Sequence, residues 1–269
     1  MLLRSRGRSS APADRAPERA VPEVDWFMGV AAIVAALAVG MSKGGLPIVG
    51  MLSVPILALA MSPVRAAAVL LPIYIISDVV GLWLYRRDFS RRNLMILIPA
   101  GIAGVGVGWA TATVISDRAV TLLIGFVALA FCIDLWRKRK RTIPPKPADV
   151  PRGLFWGTLT GFTSFVSHAG APPYQMFMLP QKLPKLVFAG TSTILFAVIN
   201  LAKLVPYWAL GQMSPQNLQF FWLLVPAAIL GTYAGRSLVN RIPQDLFYRF
   251  VQGALFLISL KLIFDGIRG

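Results

Sequence analysis

Four ionisable side chains stand inside long apolar stretches of this sequence, where a charge is costly and rare. They are Lys43, Asp78, His168 and Lys203. Ionisable residues at membrane depth are functional candidates by default, because each needs a partner or a ligand to offset its burial. Two of the four are cations and a third becomes one on protonation. The group therefore favours an anion as ligand.

Hydroxyl and amide side chains stand close to these four residues along the sequence. They are Ser42, Ser167, Thr191, Ser192, Thr193 and Asn200. Such groups donate hydrogen bonds, and a bond donated to a charged acceptor is stronger than one donated to a neutral acceptor. Together with Lys43 and Lys203 they predict a donor-rich site for a small oxyanion.

Asp78, His168 and Lys203 each have a second interpretation. Asp78 either neutralises one of the lysines, as a buried charge requires, or takes part in ion coupling. His168 binds substrate, couples transport to protons because histidine titrates near physiological pH, or has a purely structural role. Lys203 precedes Pro206-Tyr207-Trp208, so its ammonium group has the alternative of extending to a membrane interface.

Two interruptions of the apolar sequence fix where these residues lie. The first is Ser42-Lys43-Gly44-Gly45-Leu46-Pro47, and the second runs from Ser164 to Pro173 and contains Gly170. A membrane helix can end in mid-bilayer only where its freed backbone groups face protein or water, and paired broken segments point to a transporter's binding site. We therefore predict two re-entrant hairpins. Their tips, at Gly44, Gly45 and Gly170, present backbone N–H groups to the anion.

The predicted site contains no metal and no cofactor and carries out no catalysis. One histidine without a cysteine pair cannot build a zinc site unless carboxylates join it, and the apolar stretches contain almost none. Ser167 and His168 are adjacent, so on a helix their side chains do not face each other as a nucleophile and its base would. The sequence has no phosphate-binding glycine loop for ATP hydrolysis. The predicted substrate-binding residues are Ser42, Lys43, Gly44, Gly45, Ser167, His168, Gly170, Thr191, Ser192, Asn200 and Lys203, with Asp78 and His168 as coupling or charge-balancing residues.

The composition requires a membrane around these elements. The chain has 269 residues, of which 56 % are hydrophobic and 14 % charged, and its mean hydropathy is +0.66. Soluble domains carry about 25 % charged residues. The net charge of +16 is concentrated between the apolar stretches, which is typical of cytoplasmic loops and argues against nucleic acid as a partner. Cys132 is the only cysteine, so an internal disulfide is excluded.

The apolar stretches divide the chain into two similar halves. The first half has a broken hairpin at 27–61 and spans at 66–85, 93–115 and 118–136; the second has a broken hairpin at 153–180 and spans at 187–210, 218–238 and 246–264. The predicted divisions are a disordered tail at 1–25, a first transmembrane repeat at 26–140, a basic cytoplasmic linker at 141–152 and a second transmembrane repeat at 153–267. The predicted fold is an all-α membrane protein. It consists of two inverted-topology repeats, each a re-entrant helical hairpin plus three transmembrane helices.

The distribution of lysine and arginine orients this arrangement. These residues concentrate in the loops at 86–92, 137–152, 182–187 and 236–249, which places the loops in the cytoplasm. A rival arrangement of eight spans in parallel repeats fits the charge distribution about as well. A signal peptide ending near Ala36-Leu37-Ala38 is an alternative for the start of the chain. The sequence leaves open whether the chain forms a homo-oligomer.

An ordered series of short motifs resembles the sulfite exporter TauE/SafE family of bacterial membrane proteins. The series comprises the Gly-Gly-x-Pro break of the first half, the passage from Phe162 to Pro173, the stretch from Phe188 to Thr193, Asn200-Leu201-Ala202-Lys203 and Pro206-Tyr207. The resemblance covers residues 26–267. The chain departs from the family at Lys43, Leu46 and Ala171, where small residues or glycine are common. If the first tip shapes the site, Lys43 alters selectivity.

The resemblance implies a secondary transporter in the bacterial inner membrane. Members of the family are linked to export of sulfite, sulfoacetate or related organosulfonates, so it implies a small sulfur-containing anion as substrate without choosing among them. Rocking of one half against the other would alternate access to a site at the membrane midplane. The alternatives are an anion channel of the same architecture and a membrane-embedded enzyme that uses Ser167 and His168.

Overall fold

Helices make up most of the chain in a computed structural model that describes residues 26–112, 114, 116–137, 144–209 and 221–268. The predicted tail at 1–25 and residues 141–143 of the predicted linker lie outside the described residues. The α-helices of the described part are α1 (Trp26–Lys43), α2 (Ser53–Ala58), α3 (Pro63–Leu84), α4 (Arg91–Ala110), α5 (Asp117–Arg137), α6 (Val150–Ser167), α7 (Ala171–Met178), α8 (Lys185–Ala209), α9 (Phe221–Arg241) and α10 (Gln244–Arg268).

Seven of these helices contain a stretch long and apolar enough to cross a membrane. They are α1, α3, α4, α5, α8, α9 and α10. Large apolar side chains such as Leu59, Val79, Trp208 and Trp222 are exposed on the outside of the bundle, where lipid rather than water would cover them. The predicted all-α class is confirmed.

The first predicted helix break is present and depends on the backbone conformation of a glycine. α1 ends at Lys43, and Gly45 has a φ of 113°, in the left-handed region that glycine adopts without strain. A Cβ at this position would also collide with the hydroxyl of Tyr85 and the methyl of Ala189. The chain then continues through a short 3₁₀ helix, Val49–Leu52, into α2.

The second predicted break is also present and ends on a left-handed histidine. α6 ends at Ser167, and His168 has a φ of 53°. The carbonyl of Thr163 accepts the backbone N–H groups of His168 and of Ala169, the latter at 3.1 Å, and long-range bonds of this kind close a helix at a left-handed residue. α7 follows with prolines in its first turn, where a missing N–H costs nothing.

The two arms of each broken segment differ in length. α1 and α6 have 18 residues each, or about 27 Å at 1.5 Å per residue, whereas α2 has 6 residues and α7 has 8. α6 begins before the predicted boundary at 153 because the Asp149 side chain accepts the backbone N–H of Arg152 at 3.1 Å. This N-cap, with proline in the first turn, starts the helix early.

Helices that precede the connection at 144–149 pack against helices that follow it. α1 packs against α9, α6 against α4, α3 against α8 and α5 against α10. Along α4 and α6 the close pairs are Ile96 with Gly153, Gly101 with Gly161, and Gly108 with Phe165, so these two helices run in the same direction. α1 and α9 also run together, because Gly231 packs on Leu37 and Gly235 on Met41.

The central helices α3 and α8 run in opposite directions. Asp78 contacts Asn200, whereas Asp88, ten residues later in the chain, lies beside Gly190, ten residues earlier. These two helices carry side chains from both halves into the middle of the bundle. The cavity described below lies beside them.

Small residues allow the paired helices α4 and α6 to approach closely. A Cβ on Gly104 of α4 would collide with the carbonyl oxygen of Thr158 and lie 2.8 Å from the backbone nitrogen of Phe162, whereas a Cβ on Gly106 would meet nothing within 4 Å. Close approach at glycine is a common way for membrane helices to associate. Gly104 and Gly106 therefore form a matched pair on one helix.

We expect Gly104→Ala to destabilise the protein by about 1–3 kcal/mol, because the added methyl separates α4 from α6. Gly106→Ala, the control, should change the stability little. The measurement is the thermal unfolding of the purified protein in detergent. Equal stability of the two variants would contradict the close α4–α6 packing.

Candidate functional site

A cavity of about 40 Å³ lies between the two breaks and the central helices. α1, α3, α6 and α8 line it, together with the first break and the residues that lead into α7. The described residues around it are Ser42, Lys43, Pro47, Gly50, Met51, Tyr74, Ser164, His168, Gly170, Ala171, Ser192, Thr193, Phe196, Asn200 and Lys203. Both halves of the chain therefore contribute to it.

Seven of the residues predicted for substrate binding lie together on this cavity. They are Ser42, Lys43, His168, Gly170, Ser192, Asn200 and Lys203. The signals that selected them were a charge in an apolar stretch, a hydroxyl or amide beside it, and a glycine in a break.

The structure places the other predicted residues elsewhere. Gly44 packs against the backbone of α9, and Gly45 against Tyr85. The Ser167 hydroxyl donates to the carbonyl of Thr163 at 3.3 Å. The Thr191 hydroxyl donates to the carbonyl of Val187 at 2.6 Å and accepts the backbone N–H of Ser90 at 2.9 Å. These four residues hold the helices and breaks in place instead of lining the cavity.

Lys43 and Asp78 form a buried ion pair at the edge of the cavity. The Lys43 Nζ and Asp78 Oδ1 atoms are 2.7 Å apart, and the two residues are 3 % and 4 % exposed. Asn200 donates from Nδ2 to Asp78 Oδ2 at 2.8 Å, so both carboxylate oxygens have a partner. Lys43 also lies near the rings of Tyr74 and Phe196, at 5.2 and 5.8 Å from their centroids, where an aromatic face attracts a cation.

Lys203 is the second cation on the cavity and is held differently. It is 1 % exposed, and its Nζ donates to the backbone carbonyl of Ser164 at 2.5 Å. That carbonyl belongs to the last turn of α6, whose C=O groups lack partners within the helix. Within the described residues no carboxylate forms an ion pair with Lys203. The ammonium group is buried at the cavity and does not extend along an exposed surface.

His168 contacts the cavity from the second break. Its Nε2 atom and the Tyr207 hydroxyl are 2.9 Å apart, and the rings of Phe165 and Tyr207 pack edge to face at 5.9 Å. The hydrogen bond of Ser167 goes to Thr163, and that of His168 goes to Tyr207. Neither bond joins Ser167 to His168, which argues against a nucleophile–base pair.

A polar cluster of Tyr85, Asp88 and Arg236 lies at the first break. The Tyr85 hydroxyl donates to the carbonyl of Gly44 at 2.5 Å. The Arg236 guanidinium lies 4.2 Å from the centroid of the Tyr85 ring and pairs with Asp88 at 2.7 Å. Burial raises the pKa of Tyr85 to about 12, so the hydroxyl keeps its proton and remains a donor.

Sequence reasoning missed Tyr85 and Tyr207, although a signal was present. Asp78 and Asn200 are 122 residues apart, and the same spacing relates Tyr85 to Tyr207. Each of these tyrosines contacts the break of its own half. Tyr74 was also missed: it lines the cavity and donates to the carbonyl of Gly50 at 2.7 Å.

The other missed lining residues gave weaker signals. Ser164 contributes a backbone carbonyl, which any residue type supplies. Thr193 was noted only as a neighbouring donor; its hydroxyl donates to the carbonyl of Lys43 at 3.0 Å. Pro47 and Ala171 belong to the two predicted breaks, whereas nothing in the sequence alone distinguished Met51 and Phe196.

The described residues contain no group of three or more histidine, cysteine, aspartate or glutamate side chains that could hold a metal ion. The cavity instead combines ammonium groups with hydroxyl and amide donors. Such a set can take an anion out of water and hold it by charge-assisted hydrogen bonds.

The seven long apolar helices of the described residues, with a buried, donor-rich cavity between two broken segments, are those of a multi-pass membrane protein. The family model described as Sulfite exporter TauE/SafE matches residues 31–262. The chain belongs to this family, as its motifs predict. Neither the curated proteins nor the solved structures contain a significant match to the chain.

Proposed function

We propose that this protein is a secondary transporter that exports a small sulfur-containing anion, either sulfite or an organosulfonate such as sulfoacetate, across the bacterial inner membrane. The observation that carries the proposal is the position of Lys203, a buried lysine that lines the cavity and forms no ion pair with a carboxylate among the described residues. A buried charge of this kind is costly unless something offsets it. A bound anion would do so, and the family supplies the class of anion.

The size of the cavity favours a compact substrate. A cavity needs about 10–15 Å³ to hold one water molecule, so about 40 Å³ gives room for roughly three water-sized groups. Sulfite is close to this size. A longer sulfonate requires the cavity to widen when it binds.

The predicted inverted repeat is part of the proposal, and the helix packing supports it. α1 runs with α9, and α4 runs with α6, whereas the equivalent helices α3 and α8 run in opposite directions. An inverted pair of repeats requires this combination, because each helix then points opposite to its counterpart in the other half. Parallel repeats would give α3 and α8 the same direction.

Alternating access would use two closures, one on each side of the cavity. Tyr85 seals the first break together with Arg236 and Asp88, and Tyr207 seals the second together with His168. α3 and α8 are antiparallel, so the two tyrosines lie toward opposite ends of this pair. We propose that these closures open in turn, and that the ion pair of Asp88 with Arg236, which joins the halves, breaks when the Tyr85 side opens.

In this topology the connector between the halves lies in the cytoplasm. With the buried Cys132 replaced by alanine, we expect Lys146→Cys to resist an impermeant thiol reagent in intact cells and to react after permeabilisation. Val114→Cys, in the exposed connection between α4 and α5, is the control and should react from outside. Rapid outside labelling at position 146 would reverse the topology.

The decisive test is transport by the purified protein in proteoliposomes, with sulfite, sulfoacetate and taurine offered separately. A transporter gives saturable flux of at least one of them. Single-channel currents would instead support an anion channel, and chemical turnover of the substrate would support the enzyme alternative. Absence of flux for every anion would overturn the proposal.

A further inference from the structure

We infer that the cavity selects anions that carry a single negative charge, and that Asp78 is the residue that sets this selectivity. The inference rests on the proposed function and narrows it: among the proposed substrates it favours hydrogen sulfite, which carries one negative charge, over the sulfite dianion and over sulfoacetate, which carries two negative charges at neutral pH. It follows from the charges that are buried around the cavity.

The described residues place three formal charges at the cavity. Lys43 and Lys203 line it, and Asp78 pairs with Lys43 at 2.7 Å. The ion pair is internally balanced, so the charge of Lys203 is left over. With a neutral His168 the site carries one net positive charge.

His168 needs no charge to make its observed contact. The Tyr207 hydroxyl and the Nε2 atom of His168, 2.9 Å apart, form a hydrogen bond in either neutral tautomer of the ring. Tyr74, the other titratable group on the cavity, donates its hydroxyl proton to the carbonyl of Gly50. A charge on His168 would add a second unbalanced cation to the same small cavity, where like charges repel strongly.

The burial of these charged groups makes the balance of charge important. Lys43, Asp78 and Lys203 are at most 4 % exposed, so a charge left over beside them after binding costs free energy that solvent does little to offset. A monoanion beside Lys203 leaves the site neutral. A dianion of the same size leaves one negative charge buried, and the nearby Asp78 carboxylate repels it. The hydroxyl and amide donors that line the cavity stabilise either anion, so they do not provide the discrimination.

Two probe anions of nearly equal size carry different charges. Methanesulfonate and sulfate have similar shapes, and they differ by a methyl group in place of a charged oxygen. Each is offered as a competitor of sulfite flux in proteoliposomes at one pH. We expect methanesulfonate to compete at least roughly tenfold more strongly than sulfate, the factor that a modest difference in binding free energy gives. Equal competition, or stronger competition by sulfate, would overturn the inference.

Two variants then test the role of Asp78. Asp78→Asn raises the net charge of the site by one and should move the ratio of the two competitors toward sulfate by roughly tenfold. The double variant Lys43→Met with Asp78→Asn restores the original net charge and should keep the preference for methanesulfonate. An unchanged ratio in folded Asp78→Asn would contradict the assignment. If that variant does not fold, a double variant that prefers sulfate contradicts it instead.

The proposed function can fail separately. If the wild-type protein transports neither sulfite nor any sulfonate, the substrate class is wrong. If it transports sulfite and sulfate competes as well as methanesulfonate does, only the charge selectivity is wrong.

Discussion

Replacing Lys203 by methionine should weaken transport roughly 10- to 100-fold, which corresponds to about 1.5–3 kcal/mol of binding free energy. Methionine keeps much of the apolar stem and removes the charge. Because Lys203 is 1 % exposed and no described carboxylate forms an ion pair with it, the lost contact is that of a desolvated ammonium with an anion, which is stronger than a neutral hydrogen bond. The measurement is the concentration dependence of sulfite flux in proteoliposomes.

Lys261→Met is the matched control for this prediction. Lys261 is partly exposed on α10, and it pairs with Asp265 four residues later. Removal of this exposed pair should leave flux unchanged. Unaltered substrate affinity in both Lys203→Met and His168→Gln, with normal amounts of protein in the membrane, would mean that the substrate binds elsewhere.

The sequence predicted where the helices break, because few residue types permit a break at membrane depth. Gly45 adopts a left-handed φ, and prolines begin α7. The direction in which each tip faces could not be predicted. Gly44 and Gly45 pack against α9 and Tyr85, and only the neighbouring helices decide this, since a glycine has no side chain to indicate a preferred environment.

The buried charges were predictable from their cost, whereas the closures around them were not. Lys43, Asp78 and Lys203 stand out in apolar sequence and come together in the structure. Asp88 and Arg236 were counted with the basic loops at 86–92 and 236–249, where a charge carries topological information only. Their ion pair joins residues 148 positions apart, and α9 extends to Arg241, so Arg236 belongs to a helix and not to the loop.

The predicted start of the second hairpin was too late because hydrophobicity alone defined it. That prediction placed the start at 153, but the N-cap Asp149 starts α6 at Val150. A cap is a local hydrogen bond, and it extends a helix through residues that an apolar pattern excludes.

Removing the carboxylate of Asp78 should have the largest effect on stability. Asp78→Asn leaves the ammonium of Lys43, which is 3 % exposed, without its ionic partner, and breaking a buried ion pair from one side costs about 3–5 kcal/mol. We expect the variant to unfold at lower denaturant concentration in detergent and to accumulate poorly in the membrane. Lys43→Met combined with Asp78→Asn should recover most of this loss, because replacing both partners leaves no unpaired charge.

The same substitution at Asp88 provides the control that separates burial from charge. The side chains of Asp88 and Arg236 are 32 % and 17 % exposed, and an ion pair that solvent still reaches contributes less than a fully buried one. Asp88→Asn should therefore cost much less than Asp78→Asn in the same unfolding measurement. Equal losses at the two positions, or a double variant no more stable than Asp78→Asn alone, would show that the pairing of Lys43 with Asp78 does not hold the centre of the bundle together.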